Sequence, residues 1–416
     1  MAERVVIARL GSRGDGIAET PHGAVFVPHA LPDETVLIER DRSRGYVLEI
    51  ETASPARVEP FCPYFTACGG CAAQHMSAPL YADWKRGTVA GALQQAGIET
   101  SLEPLIDAHG AGRRRVTLHA RFNDGETRVG YMAARSHDLV AIAHCPIAEP
   151  ALKRAPEAAR AIAARLAGAK KPLDIQVTAT ETGLDLDIRG HGPLAKRERQ
   201  ALIETAAAQD LARVSIHGEI LVERRAPVVT MGRAPVILPP GVFLQATRAG
   251  EEALARLVLA ACAGARRVAD LFAGCGPFAL RLAEGAEVHA IDGDAPSLAA
   301  LDRAWRTTPG LKRIGTETRD LFRRPLLGPE LARFDALVLD PPRAGAEAQA
   351  RQLAASKVPV VASVSCDAGT FARDTAILIA GGYRLERVTP VDQFKYSAHA
   401  ELVGVFRRDR ERRARG

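Results

Sequence analysis

The chain has 416 residues, 47% of them hydrophobic and 25% charged, and no stretch has the length and purity of a membrane-spanning helix. That length exceeds what one hydrophobic core normally serves, so the sequence predicts a soluble protein of two or three domains. A formal net charge of +6 and a pI near 9.0 nominate a polyanionic partner, because lysine and arginine that neutralise phosphates release condensed counterions; a solvated basic surface would give the same count.

The opening MAERVVIARL carries Glu3 and interrupts its short apolar run with Arg9. It lacks the apolar core and small-residue cleavage site of a secretory signal. The expected compartment is the cytoplasm, where thiols stay reduced and clustered cysteines bind metal more often than they form disulfides.

Residues 1–58 alternate short apolar runs (RVVIARL, AVFVPHA, ETVLIER, GYVLEIE) with turn formers such as GSRGDG and LPDE. This rhythm predicts a small antiparallel barrel of about five strands, and its basic content suits RNA.

Residues 59–235 are mixed. CPYFTACGGC puts Cys62, Cys68 and Cys71 within ten residues, and Cys145 follows in AIAHCPIAEP. By spacing alone, a C-x5-C-x2-C…C set suits zinc and an iron–sulfur cluster equally. SAPLYADWKRGTVAGALQQAG has helical periodicity ending at Gly97, RVTLHARF and RVGYMAA read as strands, EPALKRAPEAARAIAARLAGA as a helix and LDIQVTATETGLDLDIRG as a hairpin. Basic residues group at Arg113, Arg114 and Arg115 and in the tail FRRDRERRARG.

From 236 to 416, apolar strands alternate with helical stretches, which predicts an α/β fold with a mostly parallel, doubly wound sheet. Ligands of such sheets bind beyond the carboxyl ends of the strands. There, DLFAGCGPFAL, with Asp270, Phe272, Gly274 and Gly276, joins a strand to a helix and is the candidate cofactor loop. A G-x-G without the third glycine of the dinucleotide fingerprint is shared among nicotinamide, flavin and S-adenosylmethionine binders. Asp292 in VHAIDGD is placed to accept from ribose hydroxyls, its alternative being a turn or helix cap with Asp294 nearby; Asp320 in RDLF is a candidate for the adenine end. Cys262 and Cys275 read as small packing residues.

LVLDPPRAG carries Asp340 to Arg343 at the end of the fourth strand, and VASVSCDAGTFARD carries Cys366 at the end of the fifth. A thiol beside the cofactor loop is placed to be a nucleophile if neighbouring charge lowers its pKa; otherwise a lone buried cysteine is structural. VDQFKYSAHAEL adds His399 and Glu401 near the same edge.

In order and spacing, DLFAGCGPFAL, LDPPRAG, SVSCDAGTFARD and DQFKYSAHAE resemble the motifs of the S-adenosylmethionine-dependent RNA 5-methyluridine methyltransferases, in particular the iron–sulfur-containing branch that modifies 23S ribosomal RNA. The likeness extends to GVFLQATRAG with Gln245 and to a TRAM-type, OB-like barrel at the N-terminus, so it covers nearly the whole chain. It implies a class I methyltransferase domain, S-adenosylmethionine as cofactor and RNA as partner, with no membrane and no obligate protein partner. In the family mechanism the thiolate, here Cys366, adds to carbon 6 of uracil and makes carbon 5 nucleophilic enough to take the methyl group; Glu401 then removes the carbon 5 proton. Asp340 and Gln245 would contact the pyrimidine or orient the cofactor, and Arg343 would offset charge in the ring, a plain salt bridge being its alternative. The resemblance also implies that Cys62, Cys68, Cys71 and Cys145 hold a [4Fe-4S] cluster in a structural or RNA-organising role, since methyl transfer from a sulfonium needs no electrons.

The chain departs from the family pattern at Asp367 (usually Asn), Ala368 and Lys395 (usually Pro), Ser397 (usually Thr) and Thr247 (commonly Asn). Cytosine-5 methylation would call for a second cysteine in DPPRAG, and adenine methylation for an aromatic residue in place of Arg343. Transfer RNA is the alternative substrate, and a non-catalytic RNA-binding assembly factor is the alternative from another class.

Overall fold

The computed structural model describes residues 2–123, 125–168 and 171–408; most of the basic tail, from 409 onward, lies outside the described residues. The first sheet has six strands, Ala2–Val6, Arg9–Leu10, Gly16–Thr20, Gly23–Val27, Thr35–Asp41 and Arg44–Thr52. The run expected to be one strand is split in two. Its first half pairs antiparallel with Thr35–Asp41, and its second half with Gly16–Thr20, so one continuous segment bridges the two ends of the sheet. Ile7, Val25, Val27, Val36 and Ile38 fill the interior as the inward residues of alternating strands.

A seven-stranded, mainly antiparallel sheet follows, in which the expected hairpin pairs Leu173–Thr180 with Gly183–Arg189 from Thr180 opposite Gly183. The helices Ala155–Ala164 and Lys196–Ala208 cover it through Ile162 and Leu202.

The third sheet has eight strands. Arg267–Leu271, Glu287–Asp292, Ile314–Thr318, Ala336–Leu339 and Val360–Ser365 run parallel, and Glu401–Arg407 joins them antiparallel, followed by Arg384–Asp392. Buried cores lie on both faces, as a doubly wound sheet requires. The chain direction of pairing reverses beside the first strand, whose neighbours are the second and fourth, and this creates the crevice at its carboxyl end.

One edge of this sheet comes from far upstream. Ile106–Asp107 pairs parallel with Val391 and Asp392. The helix Ala78–Gln95 likewise buries Val89 and Leu93 in the same core as Leu339 and Phe371. Its end is set by Gly97 at φ +72°, with the Ile98 N–H donating back to the Leu93 carbonyl at 2.9 Å, a Schellman-type stop. No helix of the described residues is long and apolar enough to cross a membrane.

Candidate active site and thiol cavity

The cofactor loop leaves the buried strand Arg267–Leu271 through Phe272, held at φ +63°. Gly276 is obligatory: at φ +92°, an added Cβ would stand 2.2 Å from Leu301 Cδ1. Gly274 is open on the side where its Cβ would point, and its N–H donates to Asp292 Oδ2 at 2.8 Å. The other Asp292 oxygen accepts from the Asp294 N–H, while Asp294 itself caps the helix Ala295–Thr307 through the Ser297 N–H. Asp292 thus makes the turn that is its alternative reading, and Asp294 makes the helix cap. Asp320 accepts from the Phe322 N–H at 3.0 Å, and the Phe322 ring lies against Phe272 with centroids 5.5 Å apart, which brings Asp320 to the rim of the same loop. Phe322, 48% exposed, is a rim residue that sequence reading passed over.

Asp270 is fully buried below the loop, with neither carboxylate oxygen in a hydrogen bond of good geometry. Burial, then the neighbouring Asp340, push its pKa well above the carboxylate range.

Asp340, Gln245, Gln393 and Glu401 form one hydrogen-bonded chain. The Ala246 N–H donates to Gln393 Oε1 at 2.8 Å, which fixes which end of that amide is the oxygen. Gln393 Nε2 then donates to Gln245 Oε1 at 2.6 Å and to Glu401 Oε1 at 3.0 Å, and Gln245 Nε2 donates to Asp340 Oδ2 at 3.0 Å. Each carboxylate thus has one oxygen engaged by this chain. Gln393 is 0% exposed and Glu401 3%. Cys366 follows the strand Val360–Ser365, whose Ser365 pairs with Leu402 next to Glu401, so thiol and carboxylate sit at one sheet end.

The charges at this end act on one another. Burial raises Cys366 to about 11, reinforced by the negative Glu401 and Asp340 and opposed by Arg343. Burial and Asp340 raise Glu401 to about 8, with the Gln393 hydrogen bond and Arg343 opposing. Asp340 is raised to about 7 by burial, against the Gln245 hydrogen bond. Arg343 donates to His399 Nε2 at 3.1 Å rather than to a carboxylate, so the salt-bridge reading of Arg343 is not what the fold uses. Burial, then Arg343 and Lys85, keep the His399 pKa low, which suits this acceptor role.

Cys62, Cys68, Cys71 and Cys145 line a single cavity of about 330 Å³, together with Arg113, Tyr131 and Phe394. Burial raises the pKa of Cys68, Cys71 and Cys145, and Arg113 opposes it in each. All four thiols are free. Among the described residues, however, no group of three or more His, Cys, Asp or Glu side chains stands ready to hold a metal ion. Cys62, Cys68, Cys71 and Cys145 thus line one space without forming such a group.

An RNA methyltransferase of Mesorhizobium japonicum, itself uncharacterized, is 47% identical to the chain over 416 residues, covering 100% of both. Another, of Caulobacter vibrioides, is 46% identical over 97% of this chain and 99% of its own. The chain belongs to the RNA methyltransferase family. A further relative, the 23S rRNA (uracil(1939)-C(5))-methyltransferase RlmD of Chromohalobacter salexigens, is 34% identical over 99% of this chain and 90% of its own. Among solved structures, the Pyrococcus abyssi tRNA (uracil-54, C5)-methyltransferase, in complex with S-adenosyl-L-homocysteine, matches with a TM-score of 0.73 at 20% identity, covering 97% of this chain and 100% of that one. At that identity the match speaks to the fold, which is that of a methyltransferase with mixed sheets. No family model matches the chain.

Within this RNA methyltransferase, the departures from the expected motifs are absorbed locally. Asp367 caps the helix Ala368–Ala380 by accepting from the Thr370 N–H at 2.9 Å, a role Asn performs equally well. Thr247 caps Arg248–Ala261 and donates to the Ala108 carbonyl at 2.6 Å. Lys395 pairs with Asp107, and Ser397 donates to the Phe394 carbonyl at 2.8 Å.

The arginine run is not a uniform basic surface. Arg114 is 1% exposed and bound to Glu251 at 2.6 Å, Arg115 lies over the Phe243 ring at 4.9 Å, and Arg113 lines the thiol cavity. Sequence reading also missed Gln393, although its motif was in view, because the partners that give it meaning are 148 and eight residues away.

Proposed function

We propose that this RNA methyltransferase transfers a methyl group from S-adenosylmethionine to carbon 5 of a uridine in RNA, with 23S ribosomal RNA as the substrate class. The observation that carries the reading is the Asp340–Gln245–Gln393–Glu401 chain beside Cys366. It sets two oriented carboxylates next to one thiol, the set that activating and then deprotonating a pyrimidine requires. The RNA preference follows the RlmD relative.

S-adenosylmethionine supplies, when bound, the methyl group and a positively charged sulfonium. Asp270, Phe272, Gly274, Gly276, Asp292 and Asp320 are the residues that would hold it, with Gln245 and Asp340 at the boundary with the pyrimidine. Cys366, its proton lost to solvent, would bond as thiolate through its sulfur to carbon 6 while the π pair of the C5–C6 bond moves to carbon 5. Carbon 5 would then take the methyl group, the pair of the sulfonium S–CH3 bond staying on sulfur in neutral S-adenosylhomocysteine. Glu401 accepts the carbon 5 proton, and the S–C6 bond breaks to restore the ring. A thiol at about 11 and a carboxylic acid at about 8 are both poised the wrong way at neutral pH. Positive charge near them favours the thiolate and the carboxylate, and Arg343 already acts in this direction.

The four-thiol cavity fits, by donor type and by the cation Arg113 on its wall, a group of negative charge held by thiolates. We assign it to a [4Fe-4S] cluster held by Cys62, Cys68, Cys71 and Cys145, in a structural role. In this reading, residues 1–58 are a TRAM-type RNA-binding barrel, 59–235 the cluster-bearing domain and 236–416 the catalytic domain, in a cytoplasmic enzyme that needs no protein partner.

The test is incubation of the purified protein with methyl-labelled S-adenosylmethionine and unmodified RNA, followed by nucleoside mass spectrometry. Labelled 5-methyluridine is the expected product; absence of label in any RNA points instead to an RNA-binding factor. Anaerobically purified protein should contain iron and acid-labile sulfide. Folded, active protein with neither would remove the cluster from the reading.

A further inference from the structure

The residues between the strands Arg384–Asp392 and Glu401–Arg407 connect the two ends of the catalytic chain, since Gln393 opens the connection and Glu401 follows it. Its shape therefore sets how the Gln393 amide meets the Glu401 carboxylate. Within the connection, the Ser397 N–H and hydroxyl both donate to the Phe394 carbonyl, which is a local turn and not a ladder.

The other anchors come from far upstream. Lys85, on the helix Ala78–Gln95, is 1% exposed. Its ammonium donates to Asp392 Oδ1 at 3.0 Å, to the Phe394 carbonyl at 3.4 Å and to the His399 carbonyl, so its three protons meet three acceptors that span the connection. Tyr81, one turn earlier on the same helix face, donates to Asp392 Oδ2 at 2.7 Å and accepts from the Tyr396 N–H at 2.8 Å. The Tyr396 carbonyl in turn accepts from the N–H groups of Ala72 and Ala73, next to Cys71. Trp84 adds a contact to the first sheet, donating from Nε1 to the Gly11 carbonyl at 2.9 Å. A small apolar cluster of Leu31, Ala73, Met76, Tyr81 and Trp84, with Tyr396 packed against it, surrounds the joint.

A lysine is an expensive way to fill such a site. Its charge must be removed from water, and an apolar side chain of similar size would pack without that cost. What an ammonium provides that an apolar group cannot is simultaneous direction of Asp392 and two carbonyls of a segment with few bonds of its own. We propose that Lys85 and Tyr81 are positioning residues that hold the 393–400 connection so that Gln393 and Glu401 meet in register; this rests on the methyl-transfer reading above.

The experiment compares wild type, the Lys85→Met/Asp392→Asn double variant, which leaves no uncompensated buried charge, and Tyr81→Phe, the milder change. It measures kcat, the KM for RNA, the Kd for S-adenosylmethionine and amide hydrogen exchange of peptide 393–400. The expected result for the double variant is a fall in kcat of roughly tenfold, with KM and Kd within about twofold of wild type. Exchange should rise in 393–400 while the helix Ala78–Gln95 and the strand Glu401–Arg407 stay protected. Tyr81→Phe should show the same pattern at smaller amplitude, and it decides the matter if the double variant does not fold. Wild-type kcat and wild-type exchange in folded variants would overturn the proposal, as would a loss of protection spread evenly over the chain. Wild-type protein that makes no 5-methyluridine would sink the functional reading instead, and the exchange measurement would still report on the connection.

Discussion

The thiol cavity and the Cys366 end of the third sheet both hold half-buried cysteines, yet the charged groups around them differ. In the cavity, Arg113 and Arg115 lie on the wall, and the positive charge of Arg113 opposes the effect of burial on Cys68, Cys71 and Cys145. At the catalytic end, two carboxylates add to the effect of burial on Cys366. Burial disfavours the thiolate in both places, raising Cys71 to about 12 and Cys366 to about 11; the difference lies in the nearby charge, where Arg113 opposes the rise in the cavity and Glu401 and Asp340 add to it at Cys366. Under the proposed function, the four thiols in the cationic cavity serve as a holding site and the one thiol beside carboxylates serves as a nucleophile that positive charge must activate.

The largest expected effect tests whether Cys366 is a nucleophile at all. Cys366→Ala should reduce methyl transfer to background while leaving RNA affinity unchanged, measured by label incorporation and by filter binding. Covalent capture of RNA containing 5-fluorouridine should disappear with it. A variant that retained turnover would place Cys366 among the structural thiols and erase the contrast between the two regions.

Glu401→Gln sharpens the comparison because it should move two observables in opposite directions. Losing the base should cost about 10²- to 10⁴-fold in kcat, the usual contribution of proton transfer by a positioned side chain. Removing the negative charge should make Cys366 easier to ionise, so its alkylation by iodoacetamide at a fixed pH between 8 and 10 should be faster than in wild type. Slower or unchanged alkylation would show that burial alone governs the thiol.

The placing of both sets of cysteines was legible in the sequence, but the charge around Cys366 was not: the nucleophile reading asks neighbouring charge to lower its pKa, and burial with Glu401 and Asp340 raises it. Asp340, Cys366 and Glu401 could be read because each ends or begins a strand of a doubly wound sheet, where topology dictates convergence. Gly276 could be read because a G-x-G between a strand and a helix marks a tight turn, and its φ of +92° with Leu301 close by bears that out. Lys85 could not, since in ADWKRG it looks like any solvated helix residue until Asp392, 307 residues away, is folded against it. Arg114 was hidden within a basic run for the same reason: its partner Glu251 is 137 residues distant. The edge strand Ile106–Asp107 is two residues long, too short for any periodicity to announce it. Local signals reveal strand ends and turns; buried ion pairs and short edge strands belong to the tertiary fold.

The smallest effect probes the link between the carboxylates. Gln393→Met keeps the side chain's bulk but removes the N–H that Glu401 accepts, leaving a buried carboxylate less satisfied; a fall in kcat of about tenfold is expected. The sign of the pH effect follows from the same bond. Gln393 stabilises the ionised form and opposes the rise of Glu401 to about 8, so its loss should move that pKa, and the rising limb of kcat against pH, to higher pH. Stability should respond in step. A carboxylic acid raised in the folded state above its unfolded value of 4.5 holds its proton longer when folded, so its contribution is fully present below 4.5 and is lost as pH rises from there through about 8. Gln393→Met should extend that loss upward, so the melting temperature, followed by calorimetry from pH 5 to 9.5, should keep falling at pH values where the wild type has levelled off. A limb and a melting curve that both stay in place would mean that Glu401 does not depend on Gln393, and that the two carboxylates are neighbours and not a linked pair.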